Sequence, residues 1–201
     1  MVILYEVYDN LYVNLTNRCP CACTFCLRQI KDEMNHSGSL WLEKEPSVEE
    51  VKQEFEKFDM KKYKEVVFCG FGEPTERLFD LFEIADYVKE KFALPIRVNT
   101  NGLSDLIFDR DTAPLFKGHV DIVSISLNTP DKEEYQKLTR NKFGEEAFDA
   151  LLKFAENVKL YVSKVILTTV ETTITNKQQD ECRKICDKIG VLYRIRPWEE
   201  S

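Results

Sequence analysis

Six short β-rich runs, each followed by a charged amphipathic stretch, restrict the folds open to this 201-residue chain more than any other feature. The runs are LYVNLT (11–16), EVVFCG (65–70), IRVNTN (96–101), DIVSISL (121–127), KVILTTV (164–170) and LYRIRP (192–197). Between them, apolar residues recur at helical spacing. SVEEVKQEFEKF places Val51, Phe55 and Phe58 on one face, and Ser47 with Glu50 has the form of a capping box. LFDLFEIADYVKEKF repeats the stripe with Leu81, Ile84, Ala85 and Val88. AFDALLKFAENV and DECRKICDKIG repeat it again, the second stopping at Gly190 as a C-cap. Strand–helix alternation with full crossovers predicts a parallel sheet. A closed eight-unit barrel takes roughly 250 residues. The expected fold is therefore α/β, an open partial barrel of six mainly parallel strands, with a doubly wound sheet as the alternative. The opening VILYEVY is expected to add an antiparallel strand through a turn at Asp9–Asn10.

One domain spanning 1–201 follows from the length. In parallel α/β folds the working residues gather at the carboxyl ends of the strands. Every unusual polar group of this chain falls there. A cysteine loop follows the first run, GFGEP the second and NTNG the third. Ser126 and Asn128, Thr168 and Glu171, then Arg194 and Arg196 follow in the later units. The net charge of −7 argues against bulk binding to nucleic acid or an anionic membrane. No apolar run reaches membrane-spanning length, and the start MVILYEVYDNLYVNL lacks the form of a signal peptide. A cytoplasmic location is the default expectation.

The cysteine loop is CPCACTFC, residues 19–26, which holds four of the seven cysteines. A disulfide framework would spread and pair them, so the clustering points to metal. Two readings follow from spacing alone. Cys19, Cys23 and Cys26, spaced C-x3-C-x2-C, can reach three irons of one cubane, while a cubane held entirely by protein takes four thiolates. All four cysteines could instead close a zinc or iron–sulfur site, with Cys21 as the fourth thiolate.

At this point the sequence resembles the radical S-adenosylmethionine (radical SAM) superfamily, whose signature is this spacing with an aromatic residue before the last cysteine; Phe25 takes that place. Gly70, Phe71, Gly72, Glu73 and Pro74 resemble the family's GGEP element, one βα unit later. Thr100 and Asn101 lie in a TNG turn like the family's third-strand element. Ser126 and Asn128 match the fourth-strand element, and Thr168 and Val170 stand where the adenine is flanked. The resemblance implies a [4Fe-4S] cluster on Cys19, Cys23 and Cys26, with Cys21 beside it as a spare. The other residues named would contact S-adenosyl-L-methionine. It further implies reductive cleavage to methionine and a 5′-deoxyadenosyl radical that takes hydrogen from a substrate. Glu73 would brace its loop or face the ligand, and the glycines would let backbone approach it. The doubled CPCxC motif also resembles a small radical SAM family associated with TatD-type hydrolases, which implies a functional neighbour and no settled substrate.

Other features are less specific. Cys182 and Cys186, four apart with Ile185 and Ile189 alongside, read as a buried helical stripe, and Cys69 as packing. The 27–47 connection is long enough to serve as a lid, and holds Arg28, His36 and Trp41 as candidate substrate residues. Arg194 and Arg196 share a strand face and suit an anionic group, or an ion pair with glutamates. With one cluster, the electron must come from a flavodoxin or ferredoxin; KKYK (61–64) and Arg28 are candidates for its docking face. Three alternatives compete: a glycyl-radical activase, a 7-deazapurine-synthase-like enzyme, and a non-catalytic iron–sulfur or zinc module. The cysteine reading predicts that, after anaerobic reconstitution, Cys19→Ala, Cys23→Ala and Cys26→Ala each lose the cluster's iron. Cys21→Ala should retain it; an iron assay showing loss in Cys21→Ala alone would overturn the assignment.

Overall fold

A computed structural model describes residues 1–29 and 38–197. Strands β1 (Leu4–Val7) and β2 (Asn10–Val13) form the antiparallel hairpin. Its reversal falls one residue earlier than expected. Val7 pairs with Asn10, so Tyr8 and Asp9 make the turn, and Tyr8 takes a positive φ of 52°. Then follow β3 (Glu65–Phe68), β4 (Ile96–Thr100), β5 (Ile122–Ser126), β6 (Lys164–Val170) and β7 (Leu192–Arg196). Every pairing from β2 to β7 is parallel, and spatial order equals chain order. That order decides between the two expected architectures. A doubly wound sheet needs a reversal in strand order. Right-handed crossovers that never reverse put all helices on one face, and the sheet curls its other face inward as an open partial barrel.

The helices are α1 (Val48–Phe55), α2 (Leu78–Phe92), α3 (Ser104–Phe108), α4 (Lys132–Thr139), α5 (Glu146–Val158) and α6 (Asn176–Ile189). Both halves of the Ser47–Glu50 capping box are formed. Gly190 closes α6 at φ 78°, while α6 starts at Asn176, capped by Thr175, earlier than its apolar stripe suggests. Side chains alternate across each strand. Leu11, Val13, Val66, Phe68, Ile96, Val98, Val123, Ile125, Val165 and Leu167 join Phe55, Leu81, Ile84, Val88, Leu151 and Phe154 of the helices in one core. The intervening positions, including Tyr12, Arg97, Asn99, Ser124, Ser126, Thr168, Arg194 and Arg196, face the concave side. Helix α4 escapes the sequence pattern because it buries only Tyr135 and Thr139. No described helix is long and apolar enough to cross a membrane.

The cap makes a checkable claim about α1. Ser47→Ala should lower stability by about 1 kcal/mol, and Ser47→Gly by only a few tenths. Urea unfolding of both variants reads the difference; equal losses would show that the cap's hydrogen bond contributes nothing.

Candidate functional site

The cysteine loop leaves the carboxyl end of β2 and is held on three sides by the chain itself. On one side, residues 38–46 clasp its approach. Asn14 Nδ2 donates to Leu40 O (2.8 Å), Asn17 Nδ2 to Leu42 O (2.8 Å), and Leu42 N returns a bond to Asn17 Oδ1 (3.1 Å). Arg18 pairs with Glu45 at 2.7 Å. On the second side, the C-terminal turn of α4 offers carbonyls that its own helix cannot satisfy. Ala22 N donates to Thr139 O and Thr24 N to Leu138 O, each at 2.9 Å. Beyond the helix, Lys142 N donates to Pro20 O at 3.0 Å. On the third side, the Arg28 guanidinium donates to the carbonyls of Asn17, Cys21 and Phe71 at 3.2–3.4 Å. The structure thus shows Arg28 strapping the loop.

The GFGEP segment follows β3 and crosses the cysteine loop at close range. A Cβ on Gly72 would lie 2.2 Å from Thr16 O, and one on Gly70 would lie 2.1 Å from Asn14 Oδ1. Real Cβ contacts never come that close. The glycines are therefore needed so that two segments of this chain can approach each other, rather than only for a ligand's approach. Glu73 N, one residue on, donates to Arg18 O at 2.8 Å. The Glu73 side chain turns inward and is buried. Its Oε1 accepts from Thr75 N, Thr75 Oγ1 and Thr100 Oγ1, and its Oε2 from Asn101 N, at 2.7–3.1 Å. Burial pushes the carboxyl pKa up while these donors pull it back. Of the two roles expected for Glu73, the structure shows the brace. It also commits Thr100, whose hydroxyl accepts from Gly102 N at 3.0 Å. Asn101 Oδ1 accepts from Leu103 N (2.9 Å), and its Nδ2 lies 3.8 Å from Cys21 Sγ. Pro74 is buried at the first turn of a 3-10 helix, Pro74–Arg77. Phe71 is buried beneath Trp41, the rings edge-on at 5.2 Å.

Within the loop, Cys19, Cys23 and Cys26 are half-buried and Cys21 is buried. Hydrogen bonds to Cys19 and Cys23 push the Cys21 thiol up. The same contact, with Arg28 adding to it, pulls Cys23 down although burial opposes it. Cys21 thus stays a protonated S–H donor beside Cys23, the better thiolate of the two. Burial pushes Cys26 up. Among the described residues no three histidine, cysteine or acidic side chains converge on a point as ligands of one ion do. A cube of four irons asks for no such convergence, because each thiolate binds a different iron.

Across the rim, Phe25 and Ser126 are half-buried and Val170 is buried. Asn128 sits at the end of β5 at φ 65°. Its amide N bonds Thr168 O (3.1 Å), and its buried Oδ1 has no hydrogen-bond partner among the described residues. The Thr168 hydroxyl is buried and donates to Ile125 O at 3.3 Å. In register, Ser126 stands beside Thr168 and Thr168 beside Arg194; Val170 stands beside Arg196. Arg97, which the sequence reading passed over, is buried on the same face. It pairs with Glu65 at 2.7 Å and donates to Asn99 Oδ1 at 3.2 Å. Burial pushes the Cys69 thiol up, while Asn99, Arg196 and Arg97 pull it down.

One expectation does not fit this geometry. KKYK precedes β3, at the end of the sheet opposite the cysteine loop, and Lys64 pairs with Asp9 at 2.6 Å. It is in the wrong place to deliver an electron to the loop. His36 lies outside the described residues. Cys182 and Cys186 are buried in α6, as expected, and burial pushes both thiols up to about 12.

Comparison with known proteins agrees with this arrangement. A family model described as the Radical SAM superfamily matches residues 13–189. A probable GTP 3',8-cyclase of Methanocaldococcus jannaschii is 28% identical over 190 residues, covering 92% of this chain and 57% of that protein. A probable GTP 3',8-cyclase of Thermococcus kodakarensis is 30% identical over 190 residues, covering 92% and 55%. The chain thus spans little more than half the length of these relatives. SuiB of Streptococcus suis, solved bound to S-adenosylmethionine, shares the fold with a TM-score of 0.68 at 16% identity, covering 96% of this chain and 41% of SuiB.

Two measurements test the site. Gly72→Ala should destabilise the protein by about 1–3 kcal/mol, because a backbone carbonyl cannot move aside as a side chain can; wild-type stability in urea would contradict the crossing. In the cluster-free protein at neutral pH, iodoacetamide followed by mass mapping should label Cys19, Cys23 and Cys26. Cys182 and Cys186 should react only after unfolding.

Proposed function

The chain belongs to the radical SAM superfamily, and from that premise we propose that Cys19, Cys23 and Cys26 hold its cluster for radical chemistry on an anionic substrate. The protein is an enzyme that uses a [4Fe-4S] cluster and S-adenosylmethionine. When bound and reduced, these cofactors supply a 5′-deoxyadenosyl radical able to take hydrogen from a substrate. The observation that carries the reading is the pairing of the strapped loop with the rim opposite it. Three half-exposed thiols stand on a loop held from three sides, and the orphaned Asn128 Oδ1 is buried at the same end of the sheet. A buried acceptor without a partner is costly; a cofactor hydroxyl or ammonium donating to it would remove that cost. Ser126, beside it, and Phe25 and Val170 would line the same cofactor. Glu73 and Thr100 hold the loops in place without reaching the ligand. Cys21 remains a thiol and donates to its neighbours.

The reading of the substrate as an anion rests on the concave face. Arg194, Arg196 and Arg97 lie on it, and Arg97 pairs with Glu65. On a chain of net charge −7, such a surface selects for negative charge. The relatives are named as probable GTP 3',8-cyclases, which makes a nucleoside triphosphate the first compound to try. Trp41, capping Phe71 from outside, would border the entrance. A TatD-type hydrolase as functional neighbour rests on the CPCxC motif alone. For the electron donor, flavodoxin or ferredoxin, the docking face would lie at the cysteine-loop end of the sheet.

Incubation of the reconstituted protein with dithionite and S-adenosylmethionine is expected to yield 5′-deoxyadenosine, and no product from a cluster-loaded sample would defeat the reading. GTP is expected to raise the yield in wild type. In Arg194→Ala and Arg196→Ala the rise should shrink about ten-fold, the loss of one charge-assisted contact. Equal yields with and without polyanions would remove the anionic substrate while leaving the cleavage chemistry intact.

A further inference from the structure

Helix α4 carries a group that nothing above employs. Tyr135 is fully buried, its ring packed on Phe148 at 5.6 Å between centroids. Its hydroxyl is buried too and has no hydrogen-bond partner among the described residues. A phenol O–H inside a protein ordinarily finds a partner. The position of α4 shows where one would come from. One turn further along, the helix accepts the Ala22 and Thr24 amides of the cysteine loop, and the Thr139 hydroxyl folds back onto Tyr135 O at 2.8 Å. Burial pushes the Tyr135 hydroxyl up most, and Cys21, Cys23, Glu73 and Cys19 add to it. Glu73 already has its four donors. The same helix holds the cysteine loop through two backbone hydrogen bonds, which makes the loop the partner to consider.

The donors that reach the loop's sulfurs are backbone amides, that of Cys23 at its own thiol and that of Arg28 at Cys26. In iron–sulfur proteins, hydrogen bonds to the sulfurs are one of the levers on reduction potential. Here the Ala22 and Thr24 amides are committed to α4, and Cys26 N donates to Cys23 O. We infer that Tyr135 is a positioning residue for the cluster, its hydroxyl donating to the sulfur of the loaded cysteine loop and favouring the reduced state. This rests on the cluster assignment proposed above. A reduced cluster carries one more negative charge, so a donor aimed at its sulfur holds that state more tightly than the oxidised one. The phenol is well suited to this: it is rigid, dry, and attached to the helix that straps the loop.

Tyr135→Phe removes the donor and keeps the ring. The test is a dithionite titration of the reconstituted protein followed by electron paramagnetic resonance, with iron measured on the same samples. The expected result is wild-type iron content and a reduced-to-oxidised ratio about ten-fold lower at a given poise, which is about 59 mV for a one-electron couple. The g-values of the reduced cluster should also change. Phe148→Leu, which loosens the same packing without touching the hydroxyl, should titrate as wild type. The cluster-free Tyr135→Phe protein should melt no lower than cluster-free wild type, because the deleted hydroxyl has no partner there. A potential unchanged in Tyr135→Phe, a shift equally large in Phe148→Leu, or a lower melting temperature of cluster-free Tyr135→Phe would each overturn the inference alone. Wild-type protein that shows no four-iron signal would overturn the cluster assignment and the inference together.

Discussion

At Gly72 the backbone after β3 passes so close to the backbone after β2 that no side chain fits between them. Much of the site follows from that contact. The crossing brings Glu73 N to Arg18 O and turns the Glu73 carboxylate down between the second and third loops. Four donors from Thr75, Thr100 and Asn101 then converge on it. A carboxylate in that position, buried and fully bonded, couples three strand ends. Displacing any one loop would leave either a buried charge or a buried donor unsatisfied, which costs far more than the bond itself gives. The rim is therefore rigid where the cofactors are to be held.

The cysteine loop relies on the same economy of backbone groups. Its outward amides meet the spare carbonyls at the end of α4, and three of the surrounding carbonyls meet one guanidinium, that of Arg28. Irregular backbone tolerates burial only when such groups are paired. The loop is consequently organised by its protein neighbours. Its thiols differ as a result: Cys21 is turned into the protein as a donor, while Cys19, Cys23 and Cys26 remain half-exposed.

Most of the architecture was legible in the chain. Period-two runs and helical stripes gave the strands and four of the helices, because burial of one face imposes that periodicity. The capping box at Ser47 and the glycine stop at Gly190 were equally visible, being local hydrogen-bond and φ requirements. Helix α4 was not, since two buried residues in eight make no stripe. The hairpin turn was misplaced by one residue because Tyr8 is an unusual choice for positive φ. Arg28 and Thr100 are taken up by hydrogen bonds within the protein, and Glu73 takes the bracing role, one of the two expected for it. Sequence spacing put them near the site, but it could not show that their polar atoms would be occupied by the protein's own backbone and side chains.

The line between the two sources of information is physical. Local chemistry decided the strand and helix periods, the cysteine spacing and the run of polar groups at strand ends, because these depend on neighbours within a few residues. The tertiary structure alone decided which sulfur turns inward, which hydroxyl is left without a partner, and which arginines share the concave face. Those outcomes depend on contacts between segments tens of residues apart, such as Gly72 with Thr16 and Thr139 with Ala22. Only closure of the sheet brings such groups together, and only then can a donor be counted as used or free.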